Sequence, residues 1–258
     1  MLPSRRRTTL TPRLTKNFKD GGDYMLRDKN KSFILSYLML RKLIGILGML
    51  LPFTCLLGGS VLRNAPVMDS ISAYYHSNMR DVLVGLLVGV SLFLMTYKGY
   101  ERRDMLVAVA SGIAGLGIAI FPCASRVDPP SAVGIFLLTP PLNGYLHYGS
   151  SAIFFILLGI NSFFLFTLGN KESWTKSKSI RNGIYRGCGI AIFVSLLTLL
   201  ILTIILGDEL IATAWTFVFE TIMLLAFGIS WLVKGESFFT DKPGEKRFNL
   251  TMVQQPAS

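Results

Sequence analysis

The segment from Asp69 to Asp81 places Asp69, Ser72, Tyr74, Tyr75, His76, Arg80 and Asp81 within thirteen residues. The only other histidine of the 258-residue chain is His147, and Glu220 interrupts an otherwise apolar run. Imidazole and carboxylate are suitable zinc ligands, and a catalytic zinc keeps one position open for water. The residue types therefore predict a shared site with His76 and His147 as metal ligands. Asp81 or Glu220 would complete the ligand set or act as general base, and Ser72 would orient a group through its hydroxyl. Asp81 also suits the N-terminal dipole of a helix starting nearby, as a cap. There is no His-x-x-x-His spacing, so packed helices would have to bring these groups together.

Those helices are membrane spans. Hydrophobic residues make up 51% of the chain and charged residues 16%, against about 25% charged in a soluble domain. A span needs about 20 largely apolar residues. Six stretches qualify: Leu43–Leu62, Val82–Tyr97, Met105–Phe121, Leu146–Leu168, Gly187–Leu206 and Leu210–Val233. The expected fold is all-α, a six-helix transmembrane bundle over residues 35–236, between a basic tail (1–34) and a second tail (237–258), both without regular structure. No cleavable signal segment is expected ahead of the first span. Of the 26 Lys and Arg, 23 fall on the side of the termini and three, Arg63, Arg80 and Arg126, on the other. By the positive-inside rule both termini are cytoplasmic, in a plasma (inner) membrane protein. The net charge of +11 then belongs to anionic lipid head groups rather than to nucleic acid.

On this topology the non-basic polar residues gather at the outer face. Glu220 would lie ten residues below Leu210, about 15 Å down the sixth span and close to mid-bilayer. Thr216 and Thr213 precede it by four and seven residues, a polar stripe descending from the outer mouth. An ionised carboxylate at that depth costs at least about 2.5 kcal/mol, so it must face the bundle interior, be protonated or be paired.

Gly85-x-x-x-Gly89 in the second span and Ser111-x-x-x-Gly115 in the third have the small-residue spacing that lets helices approach closely. Cys55, Cys123 and Cys188 form no disulfide framework, although Cys55 and Cys123 both lie toward the outer half. There is no P-loop, GxGxxG, Gly-x-Ser-x-Gly or HExxH, so nucleotide hydrolysis, dinucleotide redox and elbow-type serine hydrolysis lack support.

Three function classes follow: a site for a metal and a lipid-like membrane substrate with hydrolytic capacity, a proton-coupled transporter using Glu220, and a non-enzymatic sensor or scaffold. Tyr74-Tyr75-His76 leading to Arg80-Asp81, the Phe121-Pro122 exit and the Trp231–Gly235 ending resemble the six-span bacterial membrane proteins of the DUF998 and Frag1/DRAM/Sfk1 type. That resemblance covers most of residues 40–236 and implies a fold and topology without an assigned activity. Ser72-x-x-x-His76 beside a span resembles the serine–histidine motif of the alkaline ceramidase-like membrane hydrolases. That implies zinc-activated water acting on a lipid amide, although the paired His-x-x-x-His of that family's late helix is missing here.

Overall fold

The computed structural model describes residues 36–99, 101–124, 136, 141–168, 174–207, 213–238 and 247–248. The helices are α1 (Ser36–Val61), α2 (Arg80–Thr96), α3 (Arg102–Ile120), α4 (Leu142–Leu165), α5 (Lys176–Leu206) and α6 (Trp215–Lys234). Of the two compact units, Met1–Met39 and Leu40–Ser258, the second holds the bundle. Five of the helices, all but α2, are long and apolar enough to cross a membrane. The exposed face of α5 carries Ile190, Val194, Leu197, Leu200, Ile201 and Ile204, a surface that only lipid covers without cost. Among the described residues the chain is a helical, multi-pass membrane protein with one two-residue strand pair. At 17 residues, α2 is about 25 Å long, just under the roughly 30 Å of a hydrocarbon core.

The helix ends follow local chemistry. In α3 a capping box joins the Glu101 side chain to the backbone of Asp104 and the Asp104 side chain to the backbone of Glu101. This satisfies two donors that the first turn leaves open. The helix stops before Pro122, whose ring forces Phe121 into extended backbone. At α5, Thr175 Oγ1 accepts the Lys178 N–H at 3.0 Å. The helix therefore begins at Lys176, and the basic stretch up to Arg186, read from sequence as a loop, forms its first turns. In the C-terminal tail, Arg247–Phe248 pairs antiparallel with Trp174–Thr175, so that tail has a short ordered element. The first 35 residues lie outside the described ones.

Neighbouring helices meet where side chains are smallest. A Cβ on Gly45 of α1 would come 2.7 Å from the Gly228 carbonyl oxygen of α6, and one on Gly228 would come 2.7 Å from the Gly45 oxygen. On α3, a Cβ on Gly112 would lie 2.6 Å from the Ser91 oxygen of α2. The Ser111/Gly112/Gly115 stretch is thus a close-approach seam, as its spacing predicts. The Gly85-x-x-x-Gly89 motif is not one. A Cβ on Gly85 would meet nothing within 4 Å, and one on Gly89 only Leu47 at 3.8 Å. Spacing reports which residues share a helix face, and the fold decides whether another backbone lies against it.

Candidate functional site

The segment between α1 and α2 is folded onto the bundle by its polar groups. Ser60 Oγ lies 2.7 Å from the Tyr74 hydroxyl and donates to the Pro66 carbonyl at 3.0 Å. Residues 72–76 then form one 3-10 turn. On its other side the Asp69 carbonyl accepts the Phe217 N–H at 2.8 Å. Glu220 Oε2 accepts the Ile71 N–H at 2.6 Å, and the Ser72 backbone and hydroxyl lie close enough to interact with the same carboxyl. Helix α6 starts only at Trp215. Glu220 is therefore in its second turn, about 7.5 Å from the helix start, rather than at the helix midpoint. Thr213 precedes the helix, so of the expected stripe only Thr216 shares a helical face with Glu220. The carboxylate anchors a loop to a helix end.

Both histidines serve the end of α3. His147 Nδ1–H donates to the Phe121 carbonyl at 2.7 Å, and His76 Nε2–H donates to the Cys123 carbonyl at 3.0 Å. The last carbonyls of a helix have no intrahelical partner, and a lipid-embedded protein must satisfy them internally. Carbonyls accept and cannot donate, which sets the proton on Nδ1 of His147 and on Nε2 of His76. The two rings lie close enough for their charges to interact. Cys123 Sγ donates to the Ser72 carbonyl at 3.2 Å, tying the same exit to the 3-10 turn. All three cysteines are free thiols.

Between these groups lies a narrow cavity of about 40 Å³, room for a few waters or one slender chain segment. Ser72, Tyr75, His147, Ser151 and Glu220 line its polar side, while Leu87, Ile118, Phe154 and Leu224 are among its apolar walls. Three of the five residues singled out from sequence (Ser72, His147 and Glu220) thus meet on one space. His76 stands behind it on the Cys123 carbonyl. Asp81 is exposed in the first turn of α2, off the cavity lining; the cap position there is Met79. Ser151 was missed, although it lies four residues after His147 and so on the same helical face.

Among the described residues no three His, Cys, Asp or Glu side chains gather into a group able to hold a metal ion. The cavity has two carboxylate- or imidazole-bearing walls, Glu220 and His147, where a catalytic zinc takes three protein ligands. The described side chains do not supply that ligand set.

Tyr75 is the buried phenol of this turn that packs against Arg80. Burial pushes its phenol above the usual range, and the Arg80 guanidinium, 5.3 Å from the ring, pulls it part of the way back. A raised phenol value means that the folded state favours the neutral form. The stabilisation is fully present below the ordinary phenol value of about 10 and is lost as pH rises through the folded one. Thermal denaturation followed from neutral to alkaline pH should show wild type losing stability above about pH 10. Tyr75→Phe should flatten that limb; an unchanged limb would mean that another group sets it.

Compared with protein-family models, with curated proteins and with solved structures, the chain matches none, so its function is argued from this geometry.

Proposed function

We propose that the chain is a six-span plasma-membrane protein, both termini cytoplasmic, that binds a lipid-like amphiphile in the cavity beside Glu220. The distribution of 23 basic residues against three supports the orientation, and the 17 apolar-rich residues of α2 support a sixth crossing completed by its flanks. The observation that carries the binding reading is the division of the cavity wall. Glu220, Ser72, Tyr75 and His147 gather at the loop end, and apolar side chains of α2, α3, α4 and α6 lie beyond them. A polar head that donates hydrogen bonds would meet the carboxylate, and its apolar part would meet Leu87, Ile118, Phe154 and Leu224. Glu220 is already engaged by Ile71 and Ser72, which favours holding a ligand over turning it over.

Native mass spectrometry of the full chain in detergent, resupplied with a long-chain amine, a long-chain alcohol or a fatty acid, tests this. One amphiphile per chain is expected, the amine held about tenfold more strongly than the fatty acid, since a charge-assisted hydrogen bond contributes about 1.5–3 kcal/mol. Leu224→Trp should fill the cavity and remove the adduct, at a cost of about 1–3 kcal/mol in stability for overpacking, so it is compared at a temperature where both proteins are folded. Equal adducts in wild type and Leu224→Trp would identify them as lipid on the outer surface of the helices and sink the reading. So would equal retention of amine and acid.

A further inference from the structure

Helix α5 changes its relation to the bundle half-way along. Its first half is locked in place. A Cβ on Gly189 would come 2.6 Å from the Phe163 side chain of α4, and one on Gly159 of α4 would come 2.7 Å from the Phe193 ring. The Tyr185 ring lies 5.4 Å from that of Phe166. Tyr185, Cys188, Ile192 and Ser195 form the buried face, spaced by three and four residues. That spacing continues to Leu199, Leu202 and Leu206, which are only half-buried, and not one of residues 196–206 is buried. Thr203, eleven residues after the fully buried Ile192 and so on the same face, is exposed. A helix on the rim of a bundle shows its lipid side along its whole length. What opens after Ser195 is the side turned to the bundle.

The loosened stretch stands level with the cavity beside Glu220. Gly159 opposite Phe193 and Phe163 opposite Gly189 fix α4 and α5 as antiparallel neighbours. Carried on in the same register, Ser151 and His147 come level with residues 201 and 205 of α5. The cavity is lined from α1, α2, α3, α4, α6 and the 3-10 turn, and by no described side chain of α5. At its floor and toward the start of α5, α4 and α6 touch directly. The Phe154 and Phe227 rings lie 6.4 Å apart, and Ser162 Oγ donates to Ser230 Oγ at 2.9 Å. At the level of Ser151 and Glu220 the cavity itself separates them, and α5, which packs against both, stands across the gap. Ser151 and Glu220 are each partly accessible there. Lipid chains are as apolar as leucine, so no hydrophobic force presses Leu199, Leu202 and Leu206 against the bundle. An alkyl chain replaces those side chains at little cost.

We propose that residues 196–206 of α5 form a lateral gate, through which the apolar tail of an amphiphile slides from the bilayer between α4 and α6 into the cavity. The inference rests on the amphiphile-binding reading above and adds its route: the ligand arrives from within the membrane, not from water over the 3-10 turn. That turn is tied down by the Ser60 to Tyr74, Ile71 to Glu220 and Cys123 to Ser72 hydrogen bonds, all of which would have to break. The α5 side is held by half-buried leucines alone, and Ser195, the last buried residue of the helix, marks where the gate begins.

In a full-length chain with Cys55, Cys123 and Cys188 replaced by alanine, Ser151→Cys puts a single thiol in the cavity wall. The protein is placed in phosphatidylcholine nanodiscs and offered either a long-chain alkyl maleimide dissolved in the bilayer or a small charged maleimide in water. The bilayer-borne reagent should label faster. Thr203→Trp puts an indole into the seam and should slow that labelling about tenfold, an added barrier of about 1.4 kcal/mol. Ile205→Trp, two residues on and so on the opposite side of the helix, should leave the rate within about twofold. Both positions are exposed, so neither ring enters a packed core, and complete labelling after denaturation shows that the thiol is present in every variant. Faster labelling by the charged reagent would place the entrance over the turn and overturn the gate, as would equal rates with and without Thr203→Trp. Native mass spectrometry judges binding separately. An adduct without bilayer-borne labelling keeps the ligand and removes the gate, and bilayer-borne labelling without an adduct keeps the entrance and removes the ligand.

Discussion

Glu220→Ala is expected to release the Ile71–His76 turn from α6 and to cost about 2–3 kcal/mol, because it leaves the Ile71 N–H without its acceptor and removes the carboxyl beside the Ser72 groups. Glu220→Gln keeps a carbonyl oxygen at the same place and should cost half of that or less. The reporter is Cys123, which is 5% exposed and donates to the Ser72 carbonyl at 3.2 Å. In a background where Cys55 and Cys188 are alanine, maleimide reaches Cys123 only when the turn lifts. A loss of 2 kcal/mol should raise the labelling rate roughly thirtyfold in Glu220→Ala, with a much smaller rise in Glu220→Gln. An unchanged rate in Glu220→Ala would show that the turn is held by Tyr74 and Ser60 and not by the carboxylate.

This anchoring role explains how much of the site could be read from sequence. A lone carboxylate in an apolar run is conspicuous because lipid penalises it, and so are a polar loop and two histidines in a chain poor in them. Ser72, His147 and Glu220 do line one cavity. The depth of Glu220 was not legible. Where α6 starts is bound up with the bond from Phe217 N–H to the Asp69 carbonyl, a contact between residues 148 positions apart that leaves no local signal. The histidines were read as metal ligands because side-chain chemistry is visible in a sequence and backbone need is not. Their partners are the Phe121 and Cys123 carbonyls, exposed because Pro122 ends α3. The apolar run of α5 from Gly187 to Leu206 was plain from composition, whereas its start at Lys176 depended on the Thr175 cap.

Arg41, Lys178, Arg181 and Lys234 share a cleft with Glu101, Asp104 and Glu236, and it was visible only as a charge total. The four cations are spread over nearly 200 positions of sequence, and each is an ordinary flanking residue of a span. Their convergence comes from the crossing of α1 with α6 and from the extension of α5 beyond the bilayer core. Tyr97, Trp231, Phe166 and Tyr185 form a buried cluster, with Tyr97 and Phe166 at 4.9 and 5.2 Å from the Trp231 ring and Phe166 at 5.4 Å from Tyr185. That cluster is the floor on which Lys234 and Arg41 stand, 4.9 Å from the Phe166 ring centre and 5.6 Å from that of Tyr97.

The glycines provide the sharpest contrast between spacing and contact. Gly228→Val should be strongly damaging. Its Cβ would sit 2.7 Å from the Gly45 carbonyl oxygen and overlap the Met49 side chain. A methionine can turn away, but the backbone oxygen cannot move without parting α1 from α6. Overpacking of a tight core typically costs about 1–3 kcal/mol, and two further methyl groups at a backbone crossing belong at or above the upper end. Gly85→Val should stay within about 0.5 kcal/mol of wild type, as for a surface substitution, since nothing lies within 4 Å of its Cβ. Detergent-solubilised melting curves of the two variants give the comparison directly. Gly228→Val should also loosen the Arg41 cleft at the end of the same crossing, because Arg41 of α1 reaches the Lys234 carbonyl of α6. If Gly85→Val fell as far as Gly228→Val, α2 would have a close partner on the Gly85 face, against the open space found there.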